Sequence, residues 1–195
     1  MTVQPQGPYQ LGGYCLGAKI AFEMAQQLSS LGHEISLLAL IDPFSPFLFK
    51  KPLPDEARLV TSFAGSLSRL FHKELPVSAD ELEQLGLDEK LNYIFKEGTR
   101  LQLLPPEIGL EQIRQLFAVY QANSLASYRY VPQPYSGRIN LFCAEKTLEE
   151  LAAEHIQGWS SLAAGGINIH KIAGDHFSIV HSEALGKELG LYLGF

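Results

Sequence analysis

A pentapeptide with the pattern Gly-x-Cys-x-Gly, at positions 13–17, constrains this chain more than any other feature. It separates an apolar segment typical of a strand from an amphipathic segment typical of a helix. A sharp strand-to-helix turn brings the two backbones so close that Gly13 and Gly17 are expected to leave no room for a Cβ. Such a turn exposes Cys15 at the helix N-terminus, where the backbone N–H of Leu16 can face a developing oxyanion. The alternative is a glycine-rich turn that carries a small buried cysteine.

The residues after this turn predict a βαβ unit. Positions 19–31 have the spacing of a helix buried on one side. The apolar residues on that side are Ile20, Met24, Leu28 and Leu31, with Ala21 and Ala25 beside them. Positions 35–41 are almost continuously apolar, which is typical of a strand buried in a parallel sheet. Two further strands are predicted at 139–143 and 167–172. The chain is therefore expected to form an α/β fold with a mostly parallel sheet.

Three residues with catalytic potential follow the predicted strands directly or by a few positions. They are Cys15, Asp42 and His176. The carboxyl ends of parallel strands share one edge of a sheet, so these side chains are expected at the same edge. Their order along the chain is that of an α/β-hydrolase triad, in which His176 takes the thiol proton and Asp42 orients the imidazole. The alternative is that Asp42 is a turn residue and His176 a structural histidine.

Four segments resemble the type I thioesterase domains of nonribosomal peptide and polyketide synthetases. They are QPQGPYQLGGY at 4–14, LID at 40–42, YRYVPQPY at 128–135 and GDHFS at 174–178. The resemblance implies an α/β-hydrolase fold with helices on both faces of the sheet and a helical lid insertion. It also implies that Cys15, Asp42 and His176 are the catalytic residues. The implied reaction is release of an acyl or peptidyl chain from the phosphopantetheine of a carrier domain, by hydrolysis or cyclisation and without a bound cofactor.

The chain departs from this family in three ways. Most members have serine where this chain has Cys15, and a glycine where it has Ala18. Members also have several strands before the nucleophile, so positions 1–195 are expected to form a single incomplete domain whose N-terminal strands are missing. The first strand would then be an uncovered edge, which favours self-association.

Two other functions stay open for such a chain. One is a non-catalytic remnant or docking module that binds a carrier domain or a partner chain. The other is a proofreading type II thioesterase.

The segment from about 44 to 128 is longer than a connection between neighbouring strands needs. Several helices are predicted in it, one of them starting with a capping box from Ser78 to Glu81. The resemblance implies a lid over an acyl channel, with Phe44, Phe47 and Phe49 near its mouth. The alternative is that these apolar residues only pack helices together.

Composition excludes several other classes of function. The net charge of −6 without a basic cluster argues against nucleic-acid binding. The polar N-terminus and the short apolar runs predict neither a signal peptide nor a membrane span, and so a cytoplasmic protein. No His, Cys, Asp and Glu spacing suggests a metal site, and Cys143 on a predicted strand is interpreted as a core residue.

Overall fold

The computed structural model describes positions 4–47 and 50–194, and within these the side chains of 151–155 are left undescribed. Phe49, predicted to lie at the mouth of the lid, falls outside the described residues. The strands are β1 (Tyr9–Tyr14), β2 (Ile35–Ile41), β3 (Ile139–Ala144) and β4 (Ile167–Ile172). The helices are α1 (Leu16–Ser30), α2 (Glu56–Leu70), α3 (Ala79–Leu82), α4 (Leu87–Arg100), α5 (Leu110–Arg129), α6 (Glu145–Ser160) and α7 (Glu183–Leu193).

The described strands form one parallel sheet in the order β1-β2-β3-β4. Side chains alternate along β2, so Leu38 and Leu40 face one apolar cluster while Leu37 and Ala39 face another. The first cluster includes residues of α1 and α6, and the second includes Leu185 of α7. Helices therefore cover both faces of a parallel sheet, which confirms the predicted α/β fold class.

Helix α1 buries a different face from the predicted one. Its buried apolar residues are Ala18, Ala21, Phe22 and Ala25. Ile20 and Met24 are 56% and 47% exposed, and Leu31, which follows the helix, is 70% exposed. The alanines let the helix backbone approach the sheet closely, and Phe22 fills the space between the rings of Tyr135 and Trp159 at 5.9 and 5.3 Å. The prediction that one side of the helix is buried is confirmed, including Ala21 and Ala25, but the prediction that Ile20, Met24 and Leu31 lie on the buried side was wrong.

Positions 52–128 form a second compact unit, separate from a unit made of 1–51 and 129–195. This second unit contains α2, α3, α4 and most of α5 around an apolar core of its own. The side chain of Asp55 caps α2, and the capping box from Ser78 to Glu81 is present at α3 as predicted. Its function as a lid stays a prediction.

None of the helices in the described part of the chain is long and apolar enough to cross a membrane.

Candidate active site

The turn between β1 and α1 holds Cys15 in a strained backbone conformation, with φ 57° and ψ −118°. The backbone N–H of Cys15 donates to the carbonyl of Ile41 at 3.0 Å, which ties the turn to the end of β2. A Cβ on Gly13 would overlap the carbonyl of Gly17, as expected for a tight strand-to-helix turn. A Cβ on Gly17 itself meets no described atom within 4 Å. The expectation of crowding at Gly17 was therefore wrong, because the close approach is borne by Gly13 alone.

Leu16 is the first residue of α1. Backbone N–H groups in the first turn of a helix have no acceptor within the helix, so they are available to a negatively charged atom. This is the position at which the sequence predicts an oxyanion-binding N–H.

Asp42 follows the end of β2 and is fully buried, with a positive φ of 40°. Its carboxylate accepts the backbone N–H of Ala144 at 2.8 Å and the hydroxyl of Thr147 at 2.9 Å. Its Oδ2 also lies 2.7 Å from Nδ1 of His176. Burial alone would raise the pKa of Asp42, but the hydrogen bonds from His176, Ala144 and Thr147 outweigh it and hold the pKa below its ordinary value. Asp42 is therefore a buried carboxylate that stays charged.

His176 lies in the loop after β4, and 22% of its side chain is exposed. Its Nδ1 is hydrogen-bonded to Asp42, and Cys15 lies close enough to interact with it electrostatically. Burial by itself would lower the pKa of His176, but these two partners raise it to about 9. Both partners therefore favour the protonated form of the imidazole. The structure places the three predicted residues at one edge of the sheet, with His176 bonded to Asp42 and within electrostatic reach of Cys15.

Aromatic rings surround the imidazole of His176. The centroids of Tyr14 and Phe44 lie 4.8 and 5.4 Å from its centroid, both tilted by 31°. Phe177 meets it edge-on at 5.4 Å. Phe44, predicted near a channel mouth, thus contacts His176. Phe47, predicted to lie beside it, packs against the sheet core, and the ammonium of Lys50 lies 4.3 Å from its ring.

Three residues at or near this site have no counterpart in the sequence predictions. Thr147 lies in the first turn of α6, and it reaches Asp42 because β3, which precedes α6, lies beside β2 in the sheet. Tyr14 precedes the nucleophile position and donates its hydroxyl to the carbonyl of His176. Lys19 is only 3% exposed although it carries a charge, and charged residues are rarely so buried.

Two other residues that could act as a nucleophile or an acid, Cys143 and Asp175, make different contacts. Cys143 is fully buried, and burial raises the pKa of its thiol to about 12, which agrees with its interpretation as a core residue. Asp175 accepts the backbone N–H groups of Phe177 and Ser178 and forms an ion pair with Lys146 at 3.6 Å. It therefore shapes the loop, while Asp42 is the carboxylate that contacts His176.

Within the described ranges, no group of three or more His, Cys, Asp or Glu residues is arranged to hold a metal ion.

The chain matches a protein-family model and segments of much longer proteins. The family model described as "Thioesterase domain" matches positions 1–189. Chondramide synthase cmdD of Chondromyces crocatus is 25% identical over 91% of this chain, and a non-reducing polyketide synthase of Cladonia grayi is 30% identical over 92%. The chain spans only 5% and 9% of the lengths of these two relatives.

Solved structures share the fold of this chain. A four-domain nonribosomal peptide synthetase bound to AMP and glycine matches the whole chain with a TM-score of 0.82 and 30% identity, over 15% of its own length. The NocB thioesterase domain in covalent complex with a nocardicin G analogue shares the fold, with a TM-score of 0.62 and 22% identity over 100% of this chain and 69% of its own. With the family model covering nearly all of its length, this chain belongs to the thioesterase domain family.

Proposed function

We propose that this chain is a thioesterase domain that releases an acyl or peptidyl chain from a phosphopantetheine-bearing carrier domain through an acyl-Cys15 intermediate. The observation that carries the proposal is the 2.7 Å hydrogen bond between His176 and the buried Asp42, together with the position of Cys15 in the strained turn at the same edge of the parallel sheet, where it acts electrostatically on His176. Membership of the thioesterase family supplies the substrate class, a thioester. No cofactor is required, because the pantetheine arm belongs to the substrate.

In the acylation step His176 holds the proton of Cys15 as an imidazolium, and the thiolate attacks the thioester carbonyl. The negative charge that develops on the carbonyl oxygen is stabilised by the N–H of Leu16. The intermediate collapses by breaking the bond between the carbonyl carbon and the pantetheine sulfur. The departing thiolate takes the proton from His176, so a free pantetheine thiol and acyl-Cys15 remain.

In the release step a nucleophile attacks acyl-Cys15 and gives its proton to His176. With water the product is a free acid, and with an amine or hydroxyl of the acyl chain itself the product is a ring. Collapse of this second intermediate restores the Cys15 thiolate beside the His176 imidazolium. Asp42 stays charged throughout and orients the imidazole through Nδ1.

The proposal is tested by incubating the protein with an acyl-pantetheine thioester and measuring its intact mass. We expect an increase equal to the acyl group, located on the peptide that contains Cys15. Cys15→Ala should abolish the adduct, and His176→Ala should slow its formation by at least about a hundredfold. Cys143→Ala is the matched control, because it removes the chain's other thiol and should leave the adduct in place.

Each alternative has its own outcome when the acyl group is supplied on pantetheine and, in a second incubation, on a carrier domain. An adduct that persists in Cys15→Ala would contradict the nucleophile assignment. Saturable binding of a loaded carrier domain without an adduct or product would favour the docking module. Faster hydrolysis of acetyl-carrier than of carriers with long chains would favour the proofreading thioesterase.

A further inference from the structure

Tyr14, the residue before Cys15, is bonded directly to the loop that carries His176. Its hydroxyl donates to the backbone carbonyl of His176 at 2.6 Å, although the two residues are 162 positions apart. The distance is short for an O–H···O hydrogen bond, and Tyr14 is partly buried. The backbone of the proposed nucleophile and the backbone of the proposed base are therefore joined by one side chain.

The rings of Tyr14 and Phe44 also lie against the imidazole. Their centroids are 4.8 and 5.4 Å from that of His176, within the distance at which an aromatic face attracts a cation. Phe44 is 47% exposed, so its position is not explained by burial in a core. An exposed phenylalanine beside a charged imidazole needs another explanation.

We propose that Tyr14 and Phe44 are positioning residues for His176: the Tyr14 hydroxyl fixes the backbone of the base relative to the nucleophile, and the two rings stabilise the imidazolium. This inference rests on the proposed role of His176 as the base. The hydroxyl and the rings act on different properties, one on geometry and the other on charge. They can therefore be separated by substitution.

The charged groups around His176 come from several elements. Asp42 faces it from the end of β2, and Cys15 from the turn before α1. Asp175 lies next to it in the loop but is paired with Lys146 at the start of α6. The two rings raise the pKa of His176 in addition to the effect of Asp42 and Cys15. One partly exposed ring is expected to change the pKa of His176 by about half a unit.

The test measures the titration of His176 by the NMR signal of its Cε1–H, which requires no substrate. Phe44→Leu should lower the pKa of His176 by about half a unit. Tyr14→Phe keeps the ring and should leave the pKa nearly unchanged. Because it breaks the bond to the loop, it should increase motion of 174–178 in ¹⁵N relaxation and lower the acylation rate about tenfold without changing KM.

Tyr192→Phe is the matched control, since it removes a tyrosine hydroxyl that contacts another histidine, His170, at 3.0 Å. It should change neither the titration of His176 nor the loop motion. Thermal unfolding of all three variants establishes that they are folded.

A Phe44→Leu protein whose His176 titrates as in the parent overturns the role of the rings. A Tyr14→Phe protein with parental loop motion and acylation rate overturns the role of the hydroxyl. If the parent forms no acyl adduct at all, the proposed function fails, while the titration and the loop motion still decide this inference.

Discussion

Nδ1 of His176 lies 2.7 Å from Oδ2 of Asp42, although 134 positions separate the two residues along the chain. They meet because both follow parallel strands of one sheet, Asp42 after β2 and His176 after β4. The positive φ of Asp42 turns the chain away from β2 at this point. The N–H of Ala144, at the end of the intervening strand β3, and the hydroxyl of Thr147, in the first turn of α6, hold the carboxylate in place.

Asp42→Asn should lower the rate of thioester turnover by at least about a hundredfold, because a neutral amide neither stabilises the imidazolium nor favours the correct tautomer. The pKa of His176 should fall from about 9 in the same variant. Thr147→Val removes only one of the hydrogen bonds to Asp42 and should cost no more than about tenfold in rate. Single-turnover kinetics and NMR titration measure both effects. Parental activity in Asp42→Asn would contradict the proposed role.

Lys19→Met should stabilise the protein at neutral pH. Lys19 is 3% exposed, and its Nζ has no hydrogen-bond partner among the described residues. Burial lowers the pKa of its ammonium from 10.5 to about 8, so the folded state binds this proton less well than the unfolded state does. The free-energy cost of burying this ammonium on folding is therefore absent above pH 10.5, increases as the pH falls, and is complete below pH 8.

We expect Lys19→Met to raise the free energy of unfolding by roughly 1–3 kcal/mol at pH 7, and by much less at pH 10. Urea unfolding at the two pH values measures this difference. Lys90→Met is the matched control, because Lys90 is equally buried at 4% exposure but forms an ion pair with Glu56 at 2.7 Å. Lys90→Met should not raise the free energy of unfolding. A destabilised Lys19→Met protein would show that the ammonium has a stabilising partner.

Iodoacetamide should modify Cys15 well before Cys143 at neutral pH. Cys15 is partly exposed at a helix N-terminus, whereas Cys143 is fully buried and its pKa is raised to about 12 by burial. Peptide mapping over time distinguishes the two sites, and the same reaction in urea should label both. Faster labelling of Cys143 in the folded protein would remove the support for Cys15 as nucleophile.

Cys15→Ser should shift the products from rings toward free acids. Transfer from pantetheine to Cys15 exchanges one thioester for another, so the acyl group stays activated, whereas transfer to serine forms a less reactive oxoester. An activated intermediate still acylates an internal amine. Product ratios from a pantetheine-linked substrate with an internal amine measure the difference. An equal or higher fraction of ring in the serine variant would contradict this expectation.

The isolated chain should self-associate through the side of the molecule that carries β1 and α1. In the described sheet β1 pairs only with β2, and Ile20 and Met24 of α1 are exposed. Sedimentation should show oligomers at high concentration, and the double variant Ile20→Lys with Met24→Lys should shift them toward monomer. Leu191→Lys, on a residue 76% exposed on α7, should not. A monomeric parent chain at high concentration would contradict the prediction.

The sequence by itself determined the elements and their order. The nearly continuous apolar run at 35–41 predicted β2 to the residue, and the bounds of β4 were predicted with equal accuracy. Positions 37–40 of β2 are all buried, so the apolar composition of this strand alone identifies it. The Gly-x-Cys-x-Gly pattern predicted the sharp turn, because only glycine at position 13 permits the approach to Gly17.

Only the tertiary structure decided which faces are buried and which side chains meet. The buried face of α1 depends on how closely the helix approaches the sheet, and small alanines allow that approach where Ile20 and Met24 do not. The bond from Tyr14 to His176 joins residues 162 positions apart, and no local pattern encodes such a pair. The burial of Lys19 runs against the preference of its residue type. Local pattern determines where strands and helices begin and end, whereas contacts between distant segments depend on packing of the whole fold.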